Sequence, residues 1–238
     1  MGALPLAVEP SQPSAGPEGA RYAALDLGTN SCRMLIARPE GDGFAVVDSF
    51  SKAVQLGQGL ESTGKLSSAS MAKTVQAMRI CRQKLQTHGV ENMRLVATEA
   101  CRRARNARDF VRYVRRETGL AREVIDPVDE ARYAAISCAP LVARTTTQLL
   151  VVDIGGGSTE LVWIDLSDVA ERRRRKAILG LHKGLEGSPE GARVVDWISV
   201  PLGVATLREQ FNDVVDDAGR FALMSWYFEE KLADFAPY

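Results

Sequence analysis

Two copies of one short motif, Asp-x-Gly-x-x-Ser, constrain the fold of this chain more than any other sequence feature. The first copy spans Asp26 to Ser31, and the second spans Asp153 to Ser158. Each copy follows a short apolar run that is typical of a buried strand, and each leads into another strand-like run. The pattern predicts that one strand–loop–strand unit occurs twice, once in each half of the chain.

The residue types inside the two loops favour contact with an anion. Glycines allow tight turns in which backbone N–H groups converge on one point, and the neighbouring hydroxyl and amide groups can donate further hydrogen bonds. A single turn of this kind is more often structural, but two copies after predicted buried strands favour phosphate binding. No Gly-Lys-Ser/Thr follows, and each loop is predicted to lead into a strand, which excludes a P-loop and a dinucleotide fingerprint. The predicted phosphate-binding residues are Gly28, Thr29, Asn30 and Ser31 in the first loop and Gly155, Gly156, Gly157, Ser158 and Thr159 in the second.

Strand-like and helix-like segments alternate along the chain, which indicates an α/β protein. An amphipathic helix is predicted over Ser67 to Gln86, with Ser at its start and Gly89 after its end. A strand is predicted over Met93 to Thr98, and Asn106 is predicted to cap a helix that runs to Arg116.

The chain is expected to divide into a tail and two lobes. Residues 1–19 contain four prolines among small residues and are expected to form a disordered tail. The first lobe is expected to cover residues 20–140 and the second lobe residues 141–238. Near the end, apolar residues between Arg220 and Phe235 predict a helix that packs by one stripe.

Composition excludes several classes of function. The 30 Lys and Arg residues balance the 30 Asp and Glu residues, so no overall field favours nucleic acid or an anionic membrane. No stretch approaches the roughly 18 continuous apolar residues of a membrane span. The four cysteines are far apart and form no C-x-x-C pair, which disfavours a zinc site and a disulfide scaffold. The sequence predicts a soluble cytoplasmic protein that binds neither nucleic acid nor membrane.

Five sequence blocks together resemble one protein family. The blocks are Asp26 to Ser31 with Arg33, Thr98 to Asn106, Asp129 to Arg132, Asp153 to Glu160, and Pro201 to Val204. The paired loops are similar to those of the actin, sugar-kinase and heat-shock ATPase superfamily, and the fuller pattern resembles its exopolyphosphatase/guanosine pentaphosphate phosphatase (Ppx/GppA) family. The resemblance implies two ribonuclease-H-like (actin-like) α/β lobes related by an internal repeat. It also implies a further strand and glycine-rich loop that the chain does not show before Tyr238, so the second lobe is expected to be incomplete.

The resemblance also implies roles for individual side chains. Glu130 corresponds to the base that activates a water for in-line attack on the terminal phosphorus. Arg102 corresponds to an arginine that faces the phosphate, and Arg33 joins the phosphate-binding residues. The implied cofactor is Mg²⁺, which prefers carboxylate oxygens and retained waters. Its implied ligands are Asp26, Asp153 and Glu160.

The function implied by the resemblance is Mg²⁺-dependent removal of the terminal phosphate from inorganic polyphosphate, and also from guanosine pentaphosphate. Two alternatives stay open: a non-catalytic module that binds polyphosphate or an alarmone, and a small-molecule kinase of the same superfamily. Family members are often dimers, so a homodimer is the implied assembly. An alternative for Glu130 is a structural role, in which its negative charge stabilises the positive N-terminal end of a helix. The basic run Arg172 to Lys176 could contact polyphosphate, but a solvated surface loop is the preferred interpretation.

Overall fold

Two separate β-sheets frame the chain in the computed structural model, which describes residues 19–41, 43–121 and 123–235. Five strands form the first sheet: β1 (Tyr22–Leu27), β2 (Ser31–Glu40), β3 (Gly43–Ala53), β4 (Asn92–Ala97) and β5 (Glu123–Val124). Their order in the sheet is β3-β2-β1-β4-β5. The first three strands are antiparallel neighbours, whereas β4 pairs in parallel with both β1 and β5.

Helices complete the alternation that the sequence predicts. They are α1 (Leu60–Thr63), α2 (Ser68–Thr87), α3 (Glu99–Arg103), α4 (Ala107–Thr118), α5 (Pro127–Ser137), α6 (Arg174–Leu179), α7 (Val204–Gln210) and α8 (Asp217–Leu232). The side chain of Ser67 accepts a hydrogen bond from Ser70 N and caps α2, as predicted. Helices α2 and α4 contribute to the first core, where Met78, Phe110 and Val114 pack with apolar side chains of β1 and β2. No helix of the described residues is long and apolar enough to cross a membrane.

The second sheet repeats the antiparallel half of the first. Its strands are β6 (Gln148–Ile154), β7 (Thr159–Asp165) and β8 (Arg193–Val200), in the order β6-β7-β8. Both β1 and β6 lead through an Asp-x-Gly loop into an antiparallel partner, so the internal repeat is confirmed. The two units differ at one edge. Strand β1 pairs with β4 on its other side, whereas β6 pairs only with β7 among the described residues.

Helix α5 belongs by its packing to the second lobe. Ala131, Ala134 and Ala135 lie in one buried cluster with Val162 and Ile164 of β7. Their small side chains let the helix lie close to the sheet. The expected boundary between residues 140 and 141 places α5 in the first lobe, although the core that it helps to form is that of the second lobe. Apart from Gly19, the expected tail lies outside the described residues.

Two other local expectations from the sequence need correction. Asn106 stands at the start of α4, but its side chain does not cap the helix. Instead, its Oδ1 accepts from Leu66 N at 2.9 Å and its Nδ2 donates to Leu66 O at 3.0 Å. In α8 the packing stripe is narrower than predicted, because Phe221 and Leu223 are 73% and 44% exposed. The helix side chains that pack against β8 and α7 are Met224, Tyr227, Phe228 and Leu232.

Candidate active site

The two Asp-x-Gly loops have the same backbone geometry and lie against each other. In the first loop Gly28 N donates to Ser31 O at 2.9 Å, and in the second Gly155 N donates to Ser158 O at 2.9 Å. A Cβ added to Gly157 would lie 2.4 Å from Oγ1 of Thr29, so only glycine allows this approach. The contact brings the halves of the repeat together around one cleft.

A second repeated motif, Val-x-Leu-Gly, braces the first loop. In residues 54–57, Val54 N and Gln55 N both donate to Asn30 O at 2.9 Å, and Gly57 N donates to Thr29 O at 2.9 Å. A Cβ on Gly57 would lie 2.3 Å from the Thr29 methyl carbon. These bonds occupy the carbonyl oxygens of Thr29 and Asn30 on the side of the loop away from the cleft. The other side of the loop is left to face the cleft.

The same motif recurs at residues 200–203 and braces the second loop. Val204 N donates to Gly155 O at 3.0 Å, and Ala205 N donates to Gly156 O at 2.9 Å. A Cβ on Gly203 would lie 2.5 Å from backbone atoms of residues 155–157. Sequence reasoning matched residues 201–204 to a family block but did not connect them with residues 54–57. The shared Val-x-Leu-Gly pattern was the signal for that connection.

A cavity of about 320 Å³ lies between the loops and is lined mainly by their polar groups. Oγ1 of Thr29 is buried and has no hydrogen-bond partner among the described residues. Because an unpaired buried hydroxyl is costly, it is suited to a ligand oxygen in the cleft. The residues of the cavity wall are Asp26, Gly28, Thr29, Asn30, Ser31, Arg33, Thr98, Glu130, Asp153, Ile154, Gly155, Gly156, Gly157, Ser158 and Val204.

Glu130 enters this cavity from the first turn of α5. The helix begins where the side chain of Asp126 accepts from Asp129 N at 2.7 Å, which fixes the position of that turn. Burial, assisted by the nearby charge of Glu160, raises the pKa of Glu130 to about 7, although Arg102 opposes the change. A carboxylate whose pKa lies near neutrality is suited to act as a general base.

Arg102 lies behind Glu130 and is not on the cavity wall. Its Nη1 donates to Glu130 Oε2 at 2.7 Å and to Ile125 O at 3.0 Å, and its Nη2 donates to Glu99 Oε2 at 2.7 Å. These bonds occupy the guanidinium and hold the Glu130 carboxylate in place. The arginine that does line the cavity is Arg33.

The carboxylate of the second loop is close enough to influence that of the first. Burial raises the pKa of Asp26, and the charge of Asp153 raises it further against the opposing effect of Arg33. Glu160 is 1% exposed, and its Oε1 accepts from Ser199 Oγ at 2.8 Å, so it lies behind the cavity wall. Among the described residues, no three Asp, Glu, His or Cys side chains form a ready metal cage. Asp26 and Asp153 suit Mg²⁺, which commonly takes one or two protein carboxylates and retains waters.

Comparison with known proteins identifies the family of this chain. The sequence profile of the Ppx/GppA phosphatase family matches residues 35–236. The chain belongs to this family. A Ppx/GppA enzyme of Aquifex aeolicus is 30% identical, with a TM-score of 0.64, over 90% of this chain and 63% of that one. An exopolyphosphatase of Cytophaga hutchinsonii has the same fold, with 24% identity and a TM-score of 0.72, over 89% of this chain and 60% of that one.

In this Ppx/GppA chain, the cleft gathers most of the side chains proposed from the sequence. The exceptions are Arg102 and Glu160, which lie behind the wall, and Thr159, whose Oγ1 donates to Leu202 O at 2.6 Å. Of the three, Arg102 holds a residue of the cavity wall, Glu130. The chain spans less than two thirds of the length of either solved relative named above.

Proposed function

We propose that the cleft hydrolyses the terminal phosphoanhydride bond of inorganic polyphosphate. The observation that carries this proposal is the position of Glu130, a partly buried carboxylate with a pKa raised to about 7, on the wall of a cavity built by the two Asp-x-Gly loops. Membership of the Ppx/GppA phosphatase family supports the reaction class. In this proposal the loop N–H groups and Arg33 hold the terminal phosphoryl group, and Glu130 takes a proton from the attacking water.

Arg102 acts in this scheme as a positioning residue. Its bonds to Glu99, Ile125 O and Glu130 fix the direction of the Glu130 carboxylate. Because in-line attack needs the water within hydrogen-bond reach of the base, a fixed carboxylate places that water. Glu160 contributes at a distance, since its charge raises the pKa of Glu130.

The cavity also fits a bound Mg²⁺ ion, held by Asp26 and Asp153 together with waters and the substrate. Burial raises the pKa of Asp26 and the charge of Asp153 raises it further, and a cation beside the two carboxylates would offset both effects. When bound, the ion would neutralise charge on the phosphate oxygens. The protein side chains would orient the phosphoryl group and the water.

The proposal is tested by phosphate release from long-chain polyphosphate with Mg²⁺ present. Glu130→Gln is expected to lower the rate by at least about 100-fold, as expected for loss of a general base. Glu123→Gln provides a control, because this carboxylate is 56% exposed and lies on β5 outside the cleft. Equal rates for the chain and Glu130→Gln would reject the catalytic role. Binding of polyphosphate without release would instead support the non-catalytic module.

A neighbouring cavity favours guanosine pentaphosphate as a second substrate. It has a volume of about 530 Å³ and shares Thr29 and Asn30 with the phosphate cleft. Amide groups of Gln58 and Asn212 line it, and the charges of Arg208 and Glu209 balance. Hydrogen-bond donors and acceptors in a cavity without net charge suit a nucleobase or a ribose better than a polyanion.

Substitution of the amide groups tests this second substrate. Gln58→Ala with Asn212→Ala is expected to raise KM for guanosine pentaphosphate by about tenfold, the effect of roughly 1.4 kcal/mol of lost hydrogen bonding. KM for polyphosphate is expected to stay unchanged. An equal change for both substrates would contradict the assignment of this cavity to a nucleoside.

A further inference from the structure

A second basic cavity lies in the second lobe, away from the phosphate loops. It has a volume of about 320 Å³, and its charged lining residues are Arg144, Arg172, Arg174, Arg175 and Glu171. Four guanidinium groups therefore face one carboxylate, which gives the lining a net charge of about +3 at neutral pH. Sequence reasoning preferred a solvated loop for this basic run.

Arg174 is the exception to the solvated-loop interpretation, because Arg172, Arg173, Arg175 and Lys176 are exposed as predicted. It is the first residue of α6, and it is only 7% exposed. Its Nε donates to Val169 O at 3.2 Å and its Nη1 donates to Arg144 O. Arg175 is anchored in the same way, because its Nη2 donates to Pro140 O. Backbone carbonyls thus hold the guanidinium groups of Arg174 and Arg175 in position before any ligand binds.

The positive charge of this cavity is not neutralised by the protein. None of its four arginines has a carboxylate within ion-pair distance among the residues that the structure describes. Carbonyl dipoles compensate a buried cation only in part, so a bound anion would remove a remaining desolvation cost. Planar guanidinium groups match the paired oxygens of a phosphate.

The cavity is separate from the proposed catalytic cleft. Arg144 precedes β6, whereas Gly155 follows the other end of that strand. The seven residues of β6 span about 20 Å at roughly 3.3 Å per residue. A ligand in the basic cavity therefore does not share the phosphate loops.

We propose that this cavity is a second anion site that binds a phosphate-type oxyanion, either free inorganic phosphate or one end of a polyphosphate chain. The inference stands on four arginines that line one cavity, two of them fixed by backbone carbonyls, and does not depend on hydrolysis in the cleft. A small concave site of this volume suits a phosphate group and not an extended membrane surface.

Arginine-specific dicarbonyl modification, read by peptide mass spectrometry, gives a local test. Separate arms contain inorganic phosphate, long-chain polyphosphate, and sodium chloride at matched ionic strength. Glu130→Gln is used so that polyphosphate stays intact. At millimolar anion, modification of Arg172 and Arg175 is expected to fall at least threefold, while the exposed Arg112 is unchanged. Protection by phosphate alone identifies the free ion, and protection only by polyphosphate identifies the chain end.

The variants use exposed residues, so that folding is preserved. R172A/R175A is expected to lose one of two bound phosphate equivalents in equilibrium dialysis. R38A/R112A removes the same charge from two exposed ion pairs and is expected to retain both equivalents. No protection, or protection equal to that by sodium chloride, would overturn the second site. Phosphate release from tripolyphosphate by R172A/R175A is expected to stay unchanged, which separates this result from any failure of the catalytic proposal.

Discussion

Glu130 and Arg102 share one partly buried ion pair, and the balance between burial and that pair sets the protonation of the Glu130 carboxyl group. Burial and Glu160 raise the pKa of Glu130, whereas Arg102 lowers it, and the result lies at about 7. A carboxylate with a pKa of about 7 lowers the stability of the fold when it is charged, but near neutral pH it can act as a general base. The two consequences can be measured separately.

The cost of Glu130 to stability depends on pH. Its folded pKa of about 7 lies above the ordinary 4.5, so the folded chain binds this proton more tightly than the unfolded chain. This group therefore makes the free energy of unfolding fall as pH rises from about 4.5 to about 7. Glu130→Gln carries no ionisable proton, and it is expected to raise the free energy of unfolding by up to about 3 kcal/mol at pH 8. Denaturant titrations should show almost no difference at pH 4, and a loss of stability at pH 8 would contradict the prediction.

Arg102→Met is expected to raise the pKa of Glu130 further, because it removes the cation that lowers it. In the variant, the midpoint of the pH–rate profile for phosphate release should move above 7, and activity should recover as pH increases. The same change leaves the partly buried Glu130 without its cationic partner and leaves Glu99 with Arg103 alone, which is expected to cost about 1–3 kcal/mol of stability. Arg103→Met is the control, since Arg103 mainly pairs with the more exposed Glu61. If Arg102→Met leaves the pH–rate profile of phosphate release unchanged, the positioning role of Arg102 is contradicted.

At the scale of elements, the repeated Val-x-Leu-Gly segments hold the loops at the cleft. Gly203→Ala would place a Cβ 2.5 Å from backbone atoms of the second phosphate loop, which cannot rotate away. The expected loss of stability is about 1–3 kcal/mol, together with weaker phosphate binding. Gly184→Ala is a matched control, because no atom lies within 4 Å of a Cβ at that position. Equal melting temperatures for the two variants would contradict the bracing role.

Asn106 distinguishes two explanations for the start of α4. A capping side chain tolerates Asp as well as Asn. A side chain that both accepts from Leu66 N and donates to Leu66 O does not, because Asp lacks the donor. Asn106→Asp is therefore expected to lower the free energy of unfolding by about 1–3 kcal/mol at neutral pH. An unchanged midpoint in a urea titration would contradict this prediction and would indicate that Asn106 acts as a helix cap.

Elements that rest on local sequence were predictable, and those that rest on distant contacts were not. The strand–loop–strand units follow from apolar runs and paired glycines, and Ser67 signals the start of α2 through a local cap. In contrast, the bond from Asn106 to Leu66 joins residues 40 positions apart. The place of Arg102 behind Glu130 also depends on bonds to Ile125 O and Glu130, which lie 23 and 28 positions further along the chain. A local pattern carries no information about such contacts.

At the scale of the whole molecule, the two lobes differ most at the edge of β6 that no strand of the described residues covers. In the first sheet β4 covers the corresponding edge of β1. On β6, Leu150, Val152 and Ile154 are 54%, 52% and 59% exposed. A strand with an unpaired edge and an exposed apolar row is a site for association with another chain.

The 238-residue chain is therefore expected to self-associate through β6 as its concentration rises. Val152→Lys places a charge in the middle of the exposed row and should shift the sedimentation-velocity distribution towards the monomer, because a charge is costly to bury between paired strands. Val215→Lys is the control, since Val215 is 91% exposed outside both sheets and should leave association unchanged. If both variants associate like the unmodified chain, a different surface carries the contact. If Val152→Lys alone becomes monomeric with the same circular dichroism spectrum, the free edge of the second sheet is that surface.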